Sequence, residues 1–366
     1  MSEVTKTDAS VEGLKVSAYT VPTDSPESDG TLRWDSTTMV LVEVSGGGER
    51  GLGYTYGDVS AGRFVESKLK GLVEGADAMK PPAAWAAMQR AIRNAGRPGV
   101  GAMAVSAVDV ALWDLKARLL SLPLADVLPR FHDDAPIYGS GGFTSYSLER
   151  LREQLGGWAE EGIPRVKIKV GRDPTSDTGR LRAAREAIGD DVELMVDANG
   201  AYTRKQALYW AERFAEHGIT YLEEPVTSED REGMRLLRDH GPGGLAIAAG
   251  EYEWTLADLA DLSGCVYILQ ADVTRSGGIT NLLRVDGICK GRTVPFSAHC
   301  APAVSAHACC AMEALVHLEY FHDHVRVENL LFDGVPQPYG GRLHPDPSRP
   351  GLGIELKRSE AERYAA

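Results

Sequence analysis

From about residue 135 the chain alternates short apolar runs with longer amphipathic stretches. The runs fall at 136–138, 165–170, 192–197, 219–223, 245–251, 266–272, 294–299 and, more weakly, 315–319. Between them, segments such as Ser147–Glu161 and Arg204–His217 carry apolar residues at helical spacing. Strands alternating with helices predict a parallel sheet with crossover connections. Eight such strands with no long break predict a closed barrel rather than an open sheet.

The first third has another texture. Residues 14–21, 37–45 and Gly51–Tyr56 read as strands, rich in Val, Thr and Tyr. A polar loop over Thr23–Gly30 and the run Gly46-Gly47-Gly48 separate them, which predicts an antiparallel meander. The three glycines read as a hairpin turn and not a phosphate loop, because no helix start follows them. Residues 60–130 are helical in pattern, and Leu122-Pro123-Leu124 with Pro129 closes that region. Tyr339–Ala366 is rich in Gly and Pro before a charged end, and it is expected to leave the barrel and pack back on the first domain. The division is therefore a capping domain at 1–130, a barrel at 131–338 and a returning segment at 339–366.

A ladder of polar residues is laid over the barrel pattern. Lys167 and Lys169 open it, and Asp197, Glu223, Glu251, Asp272, His299 and Glu319 follow at intervals of 20–28 residues. One strand, one helix and two loops of a parallel barrel use about that much chain, and strand ends converge at one face. Such a series is hard to explain except as a single site.

Three consecutive carboxylates, Asp197, Glu223 and Glu251, repel one another unless a cation sits among them. Oxygen ligands on rigid strands suit a hard divalent ion, Mg²⁺ first. The plainer alternative, that each carboxylate caps the next helix, accounts for one of them but poorly for three with Asn199 alongside. Lys167 and Lys169 flank Ile168, so both ammonium groups point to one side of a strand. Inside a barrel their repulsion is expected to depress a pKa and free one lysine to act as a base. On an exposed edge strand they would only block aggregation. Asp272 is placed to fix the tautomer of His299, and Glu319 completes the ring. His322-Asp323-His324 lies past the last strand and reads as structural or supporting.

Composition narrows the partners. With 52 acidic and 39 basic residues the net charge is −13, so no nucleic-acid partner is expected. A bound cation and two lysines still permit an anionic small substrate. Met1–Glu12 lacks an apolar signal core, and no apolar run is long enough for a bilayer, so no membrane partner is expected. The five cysteines, Cys265, Cys289, Cys300, Cys309 and Cys310, are odd in number and show no zinc spacing. They predict reduced thiols in a cytoplasmic protein. A homo-oligomer is expected.

Lys167-x-Lys169, Asp197-Ala198-Asn199, Glu223-Glu224-Pro225, Gly250-Glu251, Asp272 ahead of Thr274-Arg275-Ser276-Gly277-Gly278-Ile279-Thr280, His299 and Glu319 together resemble the enolase superfamily. The likeness is nearest to its mandelate racemase subgroup. It extends to the helix Ala107–Asp114 and to Pro350-Gly351-Leu352-Gly353. The muconate-cycloisomerase-like subgroup carries a lysine where Asp272 stands and is set aside. The resemblance implies an α/β fold: a modified (β/α)₇β TIM-like barrel with an α+β cap completed by the C-terminal tail. It implies Mg²⁺ on Asp197, Glu223 and Glu251, with Lys169 as base on one face of the substrate. Lys167 would partner the substrate carboxylate, His299 with Asp272 would serve the other face, and Glu319 would hydrogen-bond the carboxylate as charge builds.

The shared step is removal of a proton alpha to a carboxylate, with the enediolate charge stabilised by cations. Dehydration of a sugar acid to a 2-keto-3-deoxy acid is the favoured outcome. The motive is the polar stretch with Asp24, Glu27, Asp29, Arg33 and Asp35 in the cap. Asn199, Tyr138, Ser140, Trp34 and Tyr54 are the candidates for contacting the substrate. Trp34, Tyr54 and Tyr56 would line an apolar pocket or, equally, stack on sugar C–H faces or pack in the cap itself. The alternatives are two-base racemisation or epimerisation of a 2-hydroxy acid or amino-acid derivative and, more remotely, a barrel that only binds an acid.

Overall fold

The structure, a computed structural model, describes residues 9–366. The polar stretch read at Met1–Glu12 therefore lies outside the described residues up to Asp8. Three antiparallel strands, β1 (Gly13–Ser28), β2 (Arg33–Gly46) and β3 (Glu49–Tyr56), form the meander. Two of them reach further than the sequence suggests. The expected polar loop at 23–30 is mostly strand, because the pairing resumes after an irregularity at Pro22 with Glu27 opposite Trp34 and Ser28 opposite Arg33. Proline is tolerated at such a break. The chain turns only at Asp29–Leu32, where Asp29 Oδ1 accepts from the backbone N–H groups of Thr31 (2.6 Å) and Leu32 (2.7 Å).

Eight parallel strands follow. They are β4 (Ala135–Gly141), β5 (Arg165–Lys169), β6 (Glu193–Asp197), β7 (Tyr221–Glu223), β8 (Ala246–Ala249), β9 (Ile268–Asp272), β10 (Phe296–His299) and β11 (Leu315–Phe321). Each pairs with its sequence neighbour, and β11 pairs with β4 to close the barrel. The last strand read weakly in the sequence yet is among the longest. Its inward positions hold His317 and Glu319, which break the apolar run that marks the others. Tyr138, Met195, Tyr221, Ala248 and Ile268 fill one layer of the interior. Among the described residues no helix is long and apolar enough to cross a membrane, and all five cysteines are free and buried.

The helix Val100–Leu119 joins cap to barrel. It is apolar on nearly every side and correspondingly buried. On one side it packs so closely on β3 that a Cβ at Gly53 would come within 2.3 Å of the Ala107 carbonyl oxygen. On the other, Asp109 accepts from Thr280 N (2.8 Å) and Thr280 Oγ1 (2.6 Å), and Trp113 Nε1 donates to Thr280 Oγ1 (2.9 Å). The C-terminal segment returns to the same region. Arg342–Leu343 pairs with the start of β4, and Ala366 N donates to Ala18 O on β1 (3.0 Å).

Asp114 is the knot between these parts. Its carboxylate is fully buried and accepts from Leu52 N (2.7 Å), Leu352 N (2.6 Å) and Arg118 Nε (2.8 Å). Asp114→Ala strands two buried N–H groups and a guanidinium, so urea unfolding should show a loss of about 3–5 kcal/mol. A loss below about 1 kcal/mol would show that the three contacts do not depend on one another.

Candidate active site

The strand register brings the ladder together. Lys169 on β5 stands opposite Asp197 on β6, Asp197 opposite Glu223 on β7, and Asp272 on β9 opposite His299 on β10. Glu251 lies just past β8, beyond Gly250. That glycine has φ +140°, and a Cβ there would sit 2.0 Å from the Gln270 carbonyl oxygen, so only glycine lets β8 and β9 close up at this level. Asn199, Glu224, Cys300 and Ala301 all hold positive φ between 42° and 50° at the same barrel face. Left-handed backbone in four non-glycine residues is strain that the surrounding structure must hold in place.

Oxygens of Asp197, Glu223 and Glu251 lie within 4.8 Å of one another, and all three residues are buried. Cations surround them. Lys167 Nζ is 2.5 Å from Glu223 Oε2, 2.8 Å from Glu319 Oε1 and 3.7 Å from Asp197 Oδ2. Lys169 Nζ is 2.5 Å from Asp197 Oδ2. His299 Nδ1 donates to Asp272 Oδ2 (2.8 Å), and Nε2 faces Glu251 Oε2 (2.8 Å) and Glu319 Oε2 (3.3 Å). Thr274 N and Oγ1 hold the other Asp272 oxygen at 2.6 and 2.7 Å.

Charge states follow this crowding. Burial is the largest influence on Lys169 and pushes its pKa down, but Asp197, Glu251 and Glu319 together outweigh burial and the Lys167 repulsion, so Lys169 lies above the ordinary lysine range. The depression expected from two neighbouring lysines is thus present but overridden by the carboxylates. Burial and then Asp197 push Glu223 up against the pull of Lys167. His299 resists burial and sits well above its usual value because Cys300, Glu251, Glu319 and Asp272 favour the imidazolium.

The residues present fit a divalent cation. The donor set is all oxygen, and Glu223 Oε1 and Asn199 Oδ1 are buried without a hydrogen-bond partner. Asn199 Nδ2 donates to Glu251 Oε1 (3.0 Å), which fixes that carboxylate from the side.

A cavity of about 300 Å³ opens above this cluster, between cap and barrel. Lys169, Asn199, Glu251 and His299 line it, while Lys167, Glu223 and Glu319 lie below in the barrel interior. Of the expected substrate contacts, Trp34 and Asn199 line the cavity and three do not. Tyr138 lies beneath Lys167, its hydroxyl 3.3 Å from Nζ. Ser140 is fully buried beside it on β4, with Oγ unpartnered. Tyr54 is turned into the core between cap and barrel, where its hydroxyl donates to Glu328 Oε1 (2.5 Å) and its ring stacks on Phe332. Tyr56, two residues further along β3, reaches the cavity instead. Most of the cap's charged stretch is also engaged elsewhere. Asp24 pairs with Arg150 and His322, Glu27 accepts from Trp34 Nε1 (2.7 Å), and Arg33 lines a separate groove; only Asp29 reaches the cavity.

Sequence reasoning missed several lining residues. Thr37 and Thr38 carried no motif. Arg275 sat unassigned inside a quoted one; its guanidinium lies 3.6 Å from both Glu251 Oε2 and Asp272 Oδ2. His324, read as structural, lines the cavity with its ring stacked on Tyr56 at 3.5 Å. Cys300 follows His299 directly, and its thiol approaches His299 Nε2 (3.2 Å) and Glu319 Oε2 (3.3 Å).

Comparison with known proteins agrees with this geometry. Residues 16–129 match the mandelate racemase / muconate lactonizing enzyme N-terminal domain, and residues 150–361 match the enolase C-terminal domain-like family. The chain belongs to the enolase superfamily. Within it, a mandelate racemase/muconate lactonizing enzyme-like protein from Rubrobacter xylanophilus shares 78% identity, with a TM-score of 0.97 over 98% of this chain and 100% of that one. The L-talarate/galactarate dehydratase of Salmonella typhimurium LT2 superposes with a TM-score of 0.90 at 27% identity, over 100% of this chain and 94% of that one. The 3,6-anhydro-alpha-L-galactonate cycloisomerase of Streptomyces coelicolor is 29% identical over 97% of this chain and 99% of its own length. Superfamily relatives of this kind are thus lyases and isomerases.

Two outcomes test the site. Mg²⁺ should raise the melting temperature, by about 2.7 kcal/mol of stability at a hundredfold excess over Kd. Asp197→Asn and Glu223→Gln should each lose that increment, and its persistence in both would exclude the acidic trio as the ligand set. Burial pushes the Glu328 pKa up to about 8 against hydrogen bonds from Tyr54, Ala303 N and Tyr56. A carboxyl raised in the folded state contributes fully below its unfolded value and loses that contribution as pH rises towards 8. The stability difference between the wild type and Glu328→Gln should therefore shift against the wild type between pH 5 and pH 8. A pH-independent difference would refute it.

Proposed function

We propose that this protein is a Mg²⁺-dependent dehydratase that removes the proton alpha to the carboxylate of a sugar acid and expels the β-hydroxyl, giving a 2-keto-3-deoxy acid. One observation carries the reading. Lys169 and His299 face the same small cavity from strands β5 and β10, five apart along the arc of the barrel that carries the acidic trio on β6, β7 and the end of β8.

Asp197, Glu223 and Glu251 would hold the ion, which when bound supplies positive charge where the enediolate develops. The lysines and His299 contact the oxygens that such an ion would take, so an ion on the trio leaves Lys169 and His299 free to turn to the substrate. Asp197 is the strongest of the charges that hold Lys169 as the ammonium; with Asp197 engaged as an ion ligand that hold is relaxed, and neutral Lys169 Nζ takes the α-proton. Lys167 and Glu319, paired below the cavity, serve the substrate carboxylate. His299, its Nδ1 held by Asp272, directs Nε2 into the cavity and delivers a proton to the departing hydroxyl on the other side. Trp34 and Tyr56 offer aromatic faces to C–H groups, and Ser36, Thr37 and Thr38 offer hydroxyls. The known activities of relatives, L-talarate/galactarate, arabinonate and gluconate dehydratases among them, support the same chemistry.

Replacing one base at a time separates the steps. In D₂O with Mg²⁺, Lys169→Ala should lose both α-proton exchange and 2-keto acid formation, by a factor on the order of a thousand. His299→Asn should retain exchange and lose 2-keto acid formation by a factor on the order of a hundred or more. Exchange into a 2-hydroxy acid or amino-acid derivative, with no 2-keto acid from any sugar acid, would replace dehydration by the racemase reading.

A further inference from the structure

We propose that the cavity accepts a polyol acid bearing one carboxylate, an aldonate, and rejects the aldarate of the same length with a carboxylate at each end. This rests on the dehydratase reading and narrows its substrate class.

Charge is divided unevenly between the cavity's two walls. The barrel wall holds every cation that lines it: Lys169, Arg275 and His299. Each already faces carboxylates there. Arg275 lies between Glu251 and Asp272, and its guanidinium is stacked over Tyr252 at 5.7 Å. One substrate carboxylate can be met at this end, by the cations gathered around the trio.

The cap wall has no lysine, arginine or histidine among its described lining residues, and it carries one carboxylate, Asp29. Its remaining polar groups are hydroxyls, at Ser36, Thr37 and Thr38; Thr37 Oγ1 donates to Asp323 and Thr38 Oγ1 pairs with Thr20 Oγ1 (2.8 Å), so the threonines can meet a substrate hydroxyl as acceptors but bring no charge to balance a carboxylate. Neither of the two arginines nearest the hairpin lines the cavity. Arg172 is exposed and donates to the carbonyl oxygens of Asp29 (2.9 Å) and Leu32 (2.6 Å), and Arg33 lines a different groove. His324, the remaining barrel-wall ring near the cap, accepts from Ala301 N at Nδ1, and burial pushes its pKa down to about 3, so it is a neutral donor.

A substrate anchored by one carboxylate at the barrel wall would bring a second carboxylate to Asp29 in a cavity of about 300 Å³, at the lower end of the range for small-molecule sites. A desolvated anion without a counter-charge, set against a like charge, is strongly disfavoured. A terminal hydroxyl in that place donates to Asp29 or to a threonine.

The test measures kcat/KM for aldonates and aldarates of matched length and stereochemistry with Mg²⁺, alongside α-proton exchange on the same acids. The expected result is a preference of about a hundredfold or more for the aldonate. Asp29→Asn keeps an oxygen for the Thr31 and Leu32 N–H groups and removes the charge, so it should narrow that ratio about tenfold, with a thermal melt confirming the fold. Equal or better turnover of aldarates by the wild type, or an unchanged ratio in Asp29→Asn, overturns the assignment while leaving dehydration intact. Absence of exchange with every acid removes the dehydratase reading, and this inference with it.

Discussion

Buried charge can persist at the barrel mouth only when it is compensated, and the rest of the site follows from that requirement. Five carboxylates, Asp197, Glu223, Glu251, Asp272 and Glu319, are taken almost wholly out of water. Each would be costly alone. Lys167, Lys169, His299 and Arg275 interleave with them so that no carboxylate lacks a cationic neighbour. The groups are coupled, since changing one carboxylate alters the field at two or three cations. This is why the like-charge effect between the two lysines does not decide their state. The nearer carboxylates do, and an ion on the acidic trio changes that balance more than any single side chain.

Holding such an array requires rigid positioning, and the backbone supplies it. Gly250 lets two strands approach closely, and the four left-handed residues aim side chains from loops that would otherwise relax. Strain of this kind is sustained by packing elsewhere. The helix Val100–Leu119 contributes much of it, clamped to β3 on one side and to the helix Gly278–Arg292 through Asp109 on the other. The cap is therefore part of the site's construction and forms one wall of the cavity.

The ladder was legible in the sequence because its signal has two independent parts, an apolar run before each rung and a βα spacing between rungs. Where one part weakened, so did the signal. In β11 the inward residues are themselves polar, so the run was faint although the strand is long. In the cap, hydrophobic alternation assigns Tyr54 and Tyr56 to the same face, which is correct, but alternation carries no information about depth. Tyr54 lies over Phe332 in the core, and Tyr56 lies at the rim. Tyr138 and Ser140 were expected to contact the substrate, yet both lie in the barrel interior, Tyr138 beneath Lys167, and neither lines the cavity. The polar loop at 23–30 resembled a turn by composition. Its residues pair as strand because partners distant in sequence, Thr144 for Ser28 and His322 for Asp24, satisfy them, and such partners are invisible to a local pattern.

These differences divide the molecule by how freely it can vary. A charge substitution in the barrel wall unbalances several neighbours at once, so that wall is held to one chemistry. The cap wall presents Ser36, Thr37, Thr38 and Leu32 from a hairpin whose backbone pairing does not depend on those side chains. Leu32, at its tip, is 64% exposed. A substitution there changes what fits above the reacting carbon without disturbing the charges below it. Relatives that keep the fold yet dehydrate or cycloisomerise different acids are the expected product of this division. On the proposed function, proton abstraction belongs to the electrostatically locked floor, and the choice of acid belongs to a hairpin free to change.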